Sequence, residues 1–254
     1  TVEFGDCLNE QGQVVGHSQT ADGEYHAFVW SLEEGMLDIG NLGGWTYASA
    51  INERGQVVGT AMIPDVGAHA FSWTRTEGLV DLGALGTHPE GWEYSVAFGV
   101  SNSGQVMGQS VMASGSAHAF IWTAHTGMVD LGALAGDWSA GYATHIHGSV
   151  VGPSTIATGE THVFLWTKSS GMVDLGTLGG SNAEPAMNHG SVNQRGDVVG
   201  WSEIPTGGAH AFIWTKAEGM VDLGSGQLWS TAHAVNDGGM VAGESQTADW
   251  QGHA

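Results

Sequence analysis

The sequence predicts an all-β chain, a β-propeller of four-stranded antiparallel blades. A recurring word is the first ground. His26-Ala27-Phe28-Val29-Trp30 returns as His69-Ala70-Phe71-Ser72-Trp73, His118-Ala119-Phe120-Ile121-Trp122, His162-Val163-Phe164-Leu165-Trp166 and His210-Ala211-Phe212-Ile213-Trp214, and it begins again at His253-Ala254. The blocks stand 43 to 49 residues apart. The second ground is that each period holds four short strand-like runs, the signature of sheets standing radially around an axis. A β-solenoid coil is far shorter than this period, and helical repeats lack such glycine-spaced runs. The third is that His, Phe and Trp share one side of the strand while Ala and an aliphatic residue share the other, so both faces are mostly apolar. An antiparallel sheet normally wets one face; a sheet wedged between two copies of itself wets neither.

The second unit shows the elements in order. Strand A is Tyr47 to Ile51, and Asn52-Glu53-Arg54-Gly55 turns the chain into strand B, Gln56 to Gly59. After a variable loop come strand C, His69 to Trp73, a turn at Gly78, and strand D, Leu79 to Leu82. Gly and Asn suit these turns because they accept positive φ at little steric cost. B strands can be read at Gly12–Gly16, Gly55–Gly59, Gly104–Gly108, Gly148–Gly152, Gly196–Gly200 and Gly239–Gly243, but Asp-(Leu/Ile)-Gly blocks number only five. A single domain over residues 1–254 is expected, with six blades over 1–40, 41–83, 84–132, 133–176, 177–224 and an incomplete 225–254. The alternative is five blades plus an extra hairpin, favoured by the near-identity of Ser18-Gln19-Thr20-Ala21-Asp22 to Ser245-Gln246-Thr247-Ala248-Asp249. Strands missing from the last blade are expected from further repeats or another subunit.

Together the HAFxW blocks, GMVDLGTLGG (Gly171 to Gly180) and INERGQVVG (Ile51 to Gly59) resemble the HAF-repeat family of extracellular repeat proteins. The resemblance spans essentially the whole chain. It implies secretion and a propeller-like array, and it implies no established chemistry.

Composition narrows the partners. Lys and Arg total 5 against 26 Asp and Glu, for a formal net charge of −21, which excludes nucleic acid and disfavours anionic membranes. No apolar stretch approaches the roughly 20 residues of a spanning helix, so no membrane insertion is expected. Cys7 is the only cysteine, which rules out an intrachain disulfide and a thiolate cluster. Nothing in the sequence places a base beside it. The chain starts at Thr1 without an initiator Met or a signal peptide, as expected of a processed piece of a longer precursor.

A residue that recurs in every blade performs a task every blade has. The repeated His and Asp are therefore expected to satisfy buried donors within the scaffold. Function is expected where the units differ. Strand A is the least regular, and aligned on Asn52 the Ser49 column reads Asp6, Ser49, Phe98, Thr144, Gly190 and His233. If strand A is innermost, these side chains border a central channel. His145-Ile146-His147 in the fourth unit has the spacing of two ligands on one strand face, with a hairpin two residues shorter than in the second unit. The bland reading is a solvated pair; the sharper one is a divalent-metal site completed by His189, His233 or Asp6. No cofactor is required by the sequence, and calcium is open because oxygen ligands are plentiful, although no Asp-x-Asp-x-Asp loop occurs.

Aromatic residues give the stronger signal. Trp45, Trp92, Trp138 and Trp229 each fall shortly before a strand A, in D-to-A loops that emerge on the same face as B-to-C loops carrying Trp201 and Trp250. With Phe98 they form the candidate ligand-binding set, a stacking platform for a glycan or a protein partner. The competing reading tucks each Trp between blades as a plug. Asp22, Asp65, Glu90, Glu93, Asp137, Glu184, Glu203 and Asp249 share that face and read as solvated loop charges unless two of them pair for glycoside chemistry. There is no Gly-x-Ser-x-Gly elbow, P-loop or His-Glu-x-x-His. The expected function is a secreted, non-catalytic binding protein. The alternatives are a polysaccharide hydrolase or lyase with a His/carboxylate site at the channel, and an element of a longer repeat array.

Overall fold

Strands form where the short apolar runs stand. The computed structural model describes residues 7–144, 148–224, 229–246 and 252–253. Among these described residues it is all-β apart from one 3₁₀ turn at His189–Ser191. Repeat 1 supplies β1 (Val14–Gln19), β2 (Tyr25–Ser31) and β3 (Gly35–Asp38). Repeat 2 supplies β4 (Thr46–Ile51), β5 (Val57–Ile63), β6 (Gly67–Thr74) and β7 (Gly78–Asp81), and repeat 3 β8 (Glu93–Val100), β9 (Val106–Val111), β10 (Ala117–Thr123) and β11 (Gly127–Asp130). Repeat 4 has β12 (Ala143–Thr144), β13 (Val150–Thr155), β14 (Thr161–Thr167) and β15 (Gly171–Gly176), and repeat 5 β16 (Ala183–Pro185), β17 (Val198–Glu203), β18 (Ala209–Thr215) and β19 (Gly219–Asp222). The last repeat has β20 (Trp229–Val235), β21 (Val241–Gln246) and β22 (Gly252–His253). Repeats 1 to 3 lie in one compact unit, Thr1–Asp130, and repeats 4 to 6 in a second, Leu131–Ala254.

Within a repeat, consecutive strands A to D pair antiparallel. Strand C is divided between two partners. In repeat 2 its second half, Phe71 to Thr74, pairs with β7, while its first residues, Gly67 and Ala68, pair in parallel with Glu93 and Tyr94 of β8. The same joint recurs at Ala209 with Trp229 and at Thr161 with Asn182. Strand D is short, and at these three joints the segment leading into or forming the next repeat's strand A takes donors and acceptors it leaves unused.

The glycine that closes each Gln-Val-Val-Gly run is dictated by two neighbours. A Cβ built at Gly59 would lie 2.0 Å from the Tyr47 carbonyl oxygen and 2.9 Å from the Phe71 ring; at Gly108 the distances are 1.9 Å to the Val96 oxygen and 2.9 Å to Phe120. The carbonyl comes so close because strand A is bulged. Register shifts between Ala48 and Ala50, between Ala97 and Gly99, and between Ala232 and Ala234 set Ser49, Phe98 and His233 as the extra residues. The phenylalanine of strand C lies in the gap above the glycine; Phe71, Phe120, Phe164 and Phe212 are fully buried. Each such ring contributes about 1.5–3 kcal/mol by leaving water.

Apolar cores lie between successive sheets, as both-sided apolarity requires. Ala27, Val29 and Ile39 of repeat 1 pack against Ile51, Phe71 and Trp73 of repeat 2. Ala70 and Leu82 of repeat 2 meet Phe120 and Trp122 of repeat 3, and in the second unit Val163 and Leu175 meet Phe212 and Trp214. The Ala/aliphatic face of one strand C is thus the bed for the Phe/Trp face of the next.

The repeated polar residues join backbone to backbone. His26, His69, His118, His162 and His210 each set Nδ1 against Asp38, Asp81, Asp130, Asp174 and Asp222 of the same repeat, at 2.8–2.9 Å. Asp81 in turn accepts from the Gly83 amide at 2.8 Å. Ser110, Ser154 and Ser202, all fully buried, accept from the amides of Leu85, Leu134 and Leu178 in the loop arriving from the previous repeat's strand D. At the A-to-B turns Asn9 donates to the Asn52 carbonyl, Asn52 to that of Ser101, and Asn193 to that of Asn236, at 2.9–3.1 Å.

Gly108→Ala is expected to cost about 3 kcal/mol or more in urea unfolding, because backbone cannot yield to the added methyl. Gly127→Ala, at φ +66° with open space around it, is expected to cost only about 1 kcal/mol. Equal losses would show that the close approach, rather than turn geometry, is not what fixes the motif.

Candidate functional site

With strand A bulged and the D-to-A loops laid against B-to-C loops, the irregular residues fall into place. A Cβ at Gly43 would touch Pro64, one at Gly86 would touch Ala113, and Met62 donates its amide to the Trp45 carbonyl at 2.8 Å. In the first unit this face carries two aromatic groups. Trp45 stacks on Tyr47 with ring centroids 4.8 Å apart and planes 20° apart. Tyr47 is also 4.5 Å from His17 and 6.1 Å from Tyr25, whose rings meet each other at 6.1 Å. The second group is Trp92 stacked on His88 at 4.0 Å and 12°, with Trp92 Nε1 donating to Glu90 at 3.3 Å. Tyr25, Trp92 and Tyr94 are 42%, 41% and 38% exposed, while Trp45 is half-buried.

The other predicted tryptophans differ. Trp138 is half-buried, its amide donating to Thr155 Oγ1 and its carbonyl accepting from the Thr155 amide. Trp229 opens β20 and is 37% exposed. Phe98 is a bulge residue and half-buried. Tyr25, Tyr47, His17 and His88 were not singled out by the sequence, since none recurs at a repeat position. Tyr25 and Tyr47 stand at or next to a strand start and His88 lies in the loop of Trp92, while His17, inside β1, carried no such signal.

The strand A column needs correction in unit 2. Thr144 pairs with Val150 as Ile51 pairs with Val57, so Thr144 matches Ile51 and the A-to-B connection has the same length as in repeat 2 rather than two residues fewer. Tyr142 and not Thr144 holds the Ser49 place, its amide donating to the Val151 carbonyl at 2.9 Å. In repeat 5 the column breaks: Pro185 pairs with Gly200 and Val192 with Val198, and the longer run between them holds the 3₁₀ turn and Gly190. His145, His147 and Asp6 lie outside the described residues. His189 is in the 3₁₀ turn, its side chain undescribed. His233 is exposed, with Nε2 3.3 Å from Glu244. Among the described residues no three His, Cys, Asp or Glu side chains are grouped to hold a metal ion.

Three of the acidic residues are not solvated loop charges. Glu93 lies in β8 and faces His69 Nε2 at 3.1 Å while accepting from Thr87. Glu203 lies in β17 and accepts from the amides of Ser181 and Asn182. Glu184 lies in β16, half-buried, and burial holds its carboxyl above the ordinary carboxylate range. Burial, and then the charge of Glu184, push the Tyr142 phenol up to about 12.

No protein-family model matches the chain, and no curated protein matches it. Among solved structures it is similar to AofleA from Arthrobotrys oligospora and to a mutant of that protein, each at 12% identity and TM-score 0.48 over 96% of this chain and 79% of that one. It is also similar to TolB from Acinetobacter baumannii, at 11% identity and TM-score 0.47 over 94% of this chain and 65% of that one.

Burial penalises ionised Glu184 in the folded chain only, so stability falls as pH rises above its ordinary titration range near 4.5. Glu184→Gln is expected to unfold at a higher temperature than the parent at pH 7 to 8, with the two converging toward pH 4. Thermal melts across that range check it; a gap that widens at low pH would reverse the assignment.

Proposed function

We propose that this is a secreted, non-catalytic β-propeller whose loop face binds a glycan through paired aromatic rings. The observation that carries this reading is the pre-stacked geometry of Trp45 on Tyr47 and of Trp92 on His88, each group reaching solvent on the face built from D-to-A and B-to-C loops. A ring already held by its neighbour loses little freedom when a flat sugar face covers it, so the affinity is not spent on ordering. Tyr25, Glu90 and Tyr94 border these rings and supply polar atoms to fix the orientation of hydroxyls. The net charge of −21 favours neutral or basic sugars over uronate-rich ones. The six-bladed closure and the secretion belong to the same reading, supported by six B strands in one repeating register and by the motifs shared with extracellular repeat proteins.

A glycan array probed with the parent chain, Trp45→Ala and Trp92→Ala is the test. The expected result is binding to at least one neutral glycan that weakens about tenfold or more in one variant, the scale of a truncated aromatic anchor. Equal binding by all three proteins, or none by the parent, overturns the reading.

One observation favours a catalytic reading as the alternative, a polysaccharide hydrolase or lyase. Tyr142 and Glu184 stand on the strand A segments of adjoining repeats, and both hold their protons to unusually high pH. A carboxyl and a phenol so tuned suit general acid and base roles. Under this reading Tyr142→Phe abolishes turnover of a polysaccharide panel while Trp45→Ala spares it; absence of turnover by the parent removes it.

A further inference from the structure

Charge is divided unevenly between the two sets of turns. All five Lys and Arg residues, Arg54, Arg75, Lys168, Arg195 and Lys216, fall in A-to-B or C-to-D turns, and none falls in a D-to-A or B-to-C loop. In the first unit the loops around the aromatic groups carry Asp22, Glu24, Asp65 and Glu90 instead. Acidic loops select nothing by themselves, because a solvated carboxylate is the ordinary state of a protein surface. Glu90 differs from the rest in being tied to an exposed ring.

Trp92 lies on His88 with ring centroids 4.0 Å apart, which covers one indole face, and the residue is still 41% exposed. The Glu90 carboxylate accepts from Trp92 Nε1 at 3.3 Å and so stands at the rim of that ring. The Glu90 backbone amide donates to His88 Nδ1 at 3.2 Å, which leaves that nitrogen without a proton and the imidazole without a positive charge. The Glu90 side chain is 77% exposed, and its nearest basic group among the described residues is the same imidazole, at 4.0 Å. Glu93, three residues on, is already engaged by His69 and Thr87. Glu90 is therefore the carboxylate that this loop presents to a ligand, beside an aromatic face and with no Lys or Arg to neutralise it.

We propose that the Trp92 site takes a sugar carrying a cationic amino group, a hexosamine whose nitrogen is not acylated. This rests on the reading of the loop face as a glycan site and assigns the class of sugar it selects. The flat face of the sugar covers the indole, and its ammonium meets the ring quadrupole and the Glu90 carboxylate together. Neither attraction acts on the neutral N-acetyl counterpart, and Glu90 repels a uronate placed in the same seat. With Lys and Arg kept to the other turns, no fixed cation of these loops competes for Glu90.

The probes are a glucosamine tetramer with every nitrogen trimethylated and the same tetramer N-acetylated, each titrated calorimetrically into the intact chain at neutral pH. The two substituents are alike in size and the charge of the first does not depend on pH, so charge is the variable. Binding at least about tenfold tighter for the cationic tetramer is the expected result, with the ratio narrowing as salt is raised. Glu90→Gln is expected to bring the ratio to within about threefold of one, whereas Asp22→Asn, which removes the same charge from an exposed loop of repeat 1, leaves it above about fivefold. Equal affinity for the two tetramers, or a ratio that the two variants lower alike, overturns the proposal and leaves glycan binding standing. Binding of neither tetramer overturns it as well, and the glycan array then decides separately whether the loop face binds any other sugar.

Discussion

The close approach of strand A's carbonyl to the glycine of strand B is the constraint from which the other features follow. A bulge in strand A drives the oxygen to about 2 Å from where a Cβ would stand, so only glycine is admitted. Its missing side chain leaves a hole, and the phenylalanine of strand C fills it. That ring's position fixes the facing of His and Trp two residues to either side, and through them the apolar bed that the preceding repeat must offer. The Gln-Val-Val-Gly and His-Ala-Phe words are thus two halves of one packing arrangement. Removing either leaves a cavity or a clash, both of which dense protein interiors resist.

Much of this was legible in the sequence, because period and turn chemistry are local properties. Strand C read from the alternation in His69 to Trp73 matches Gly67–Thr74, and strand B read from Gln56 to Gly59 matches the start of Val57–Ile63. The roles of His69 and Asp81 followed from repetition alone. What was illegible depends on register. His147 looked like the counterpart of Asn52, which placed Thr144 in the Ser49 column; the pairing of Thr144 with Val150 moves that column to Tyr142. Glu184 read as one of the loop charges, but Ala183-Glu184-Pro185 forms β16. Only its contacts reveal that the carboxylate is half-buried.

The aromatic face illustrates a different limit. Four tryptophans at like positions invited a uniform reading, as a platform or as plugs, and they divide instead. Trp92 and Trp229 reach solvent, while Trp45 and Trp138 are half-buried. They also differ in their unrepeated neighbours: Tyr47 beneath Trp45 and His88 beneath Trp92 exist in one repeat each. A scaffold that repeats fixes where such residues stand, and single substitutions beside them decide which become available to a ligand.

The divided strand C has an evolutionary consequence. Where the joint is seen, between repeats 2 and 3, 4 and 5, and 5 and 6, the earlier repeat offers its successor the same parallel backbone contact. Duplication of one period therefore inserts a module whose two borders already match, without rewriting any residue upstream or downstream. The number of copies in such a chain can therefore change by whole periods with little disturbance of the packing on either side.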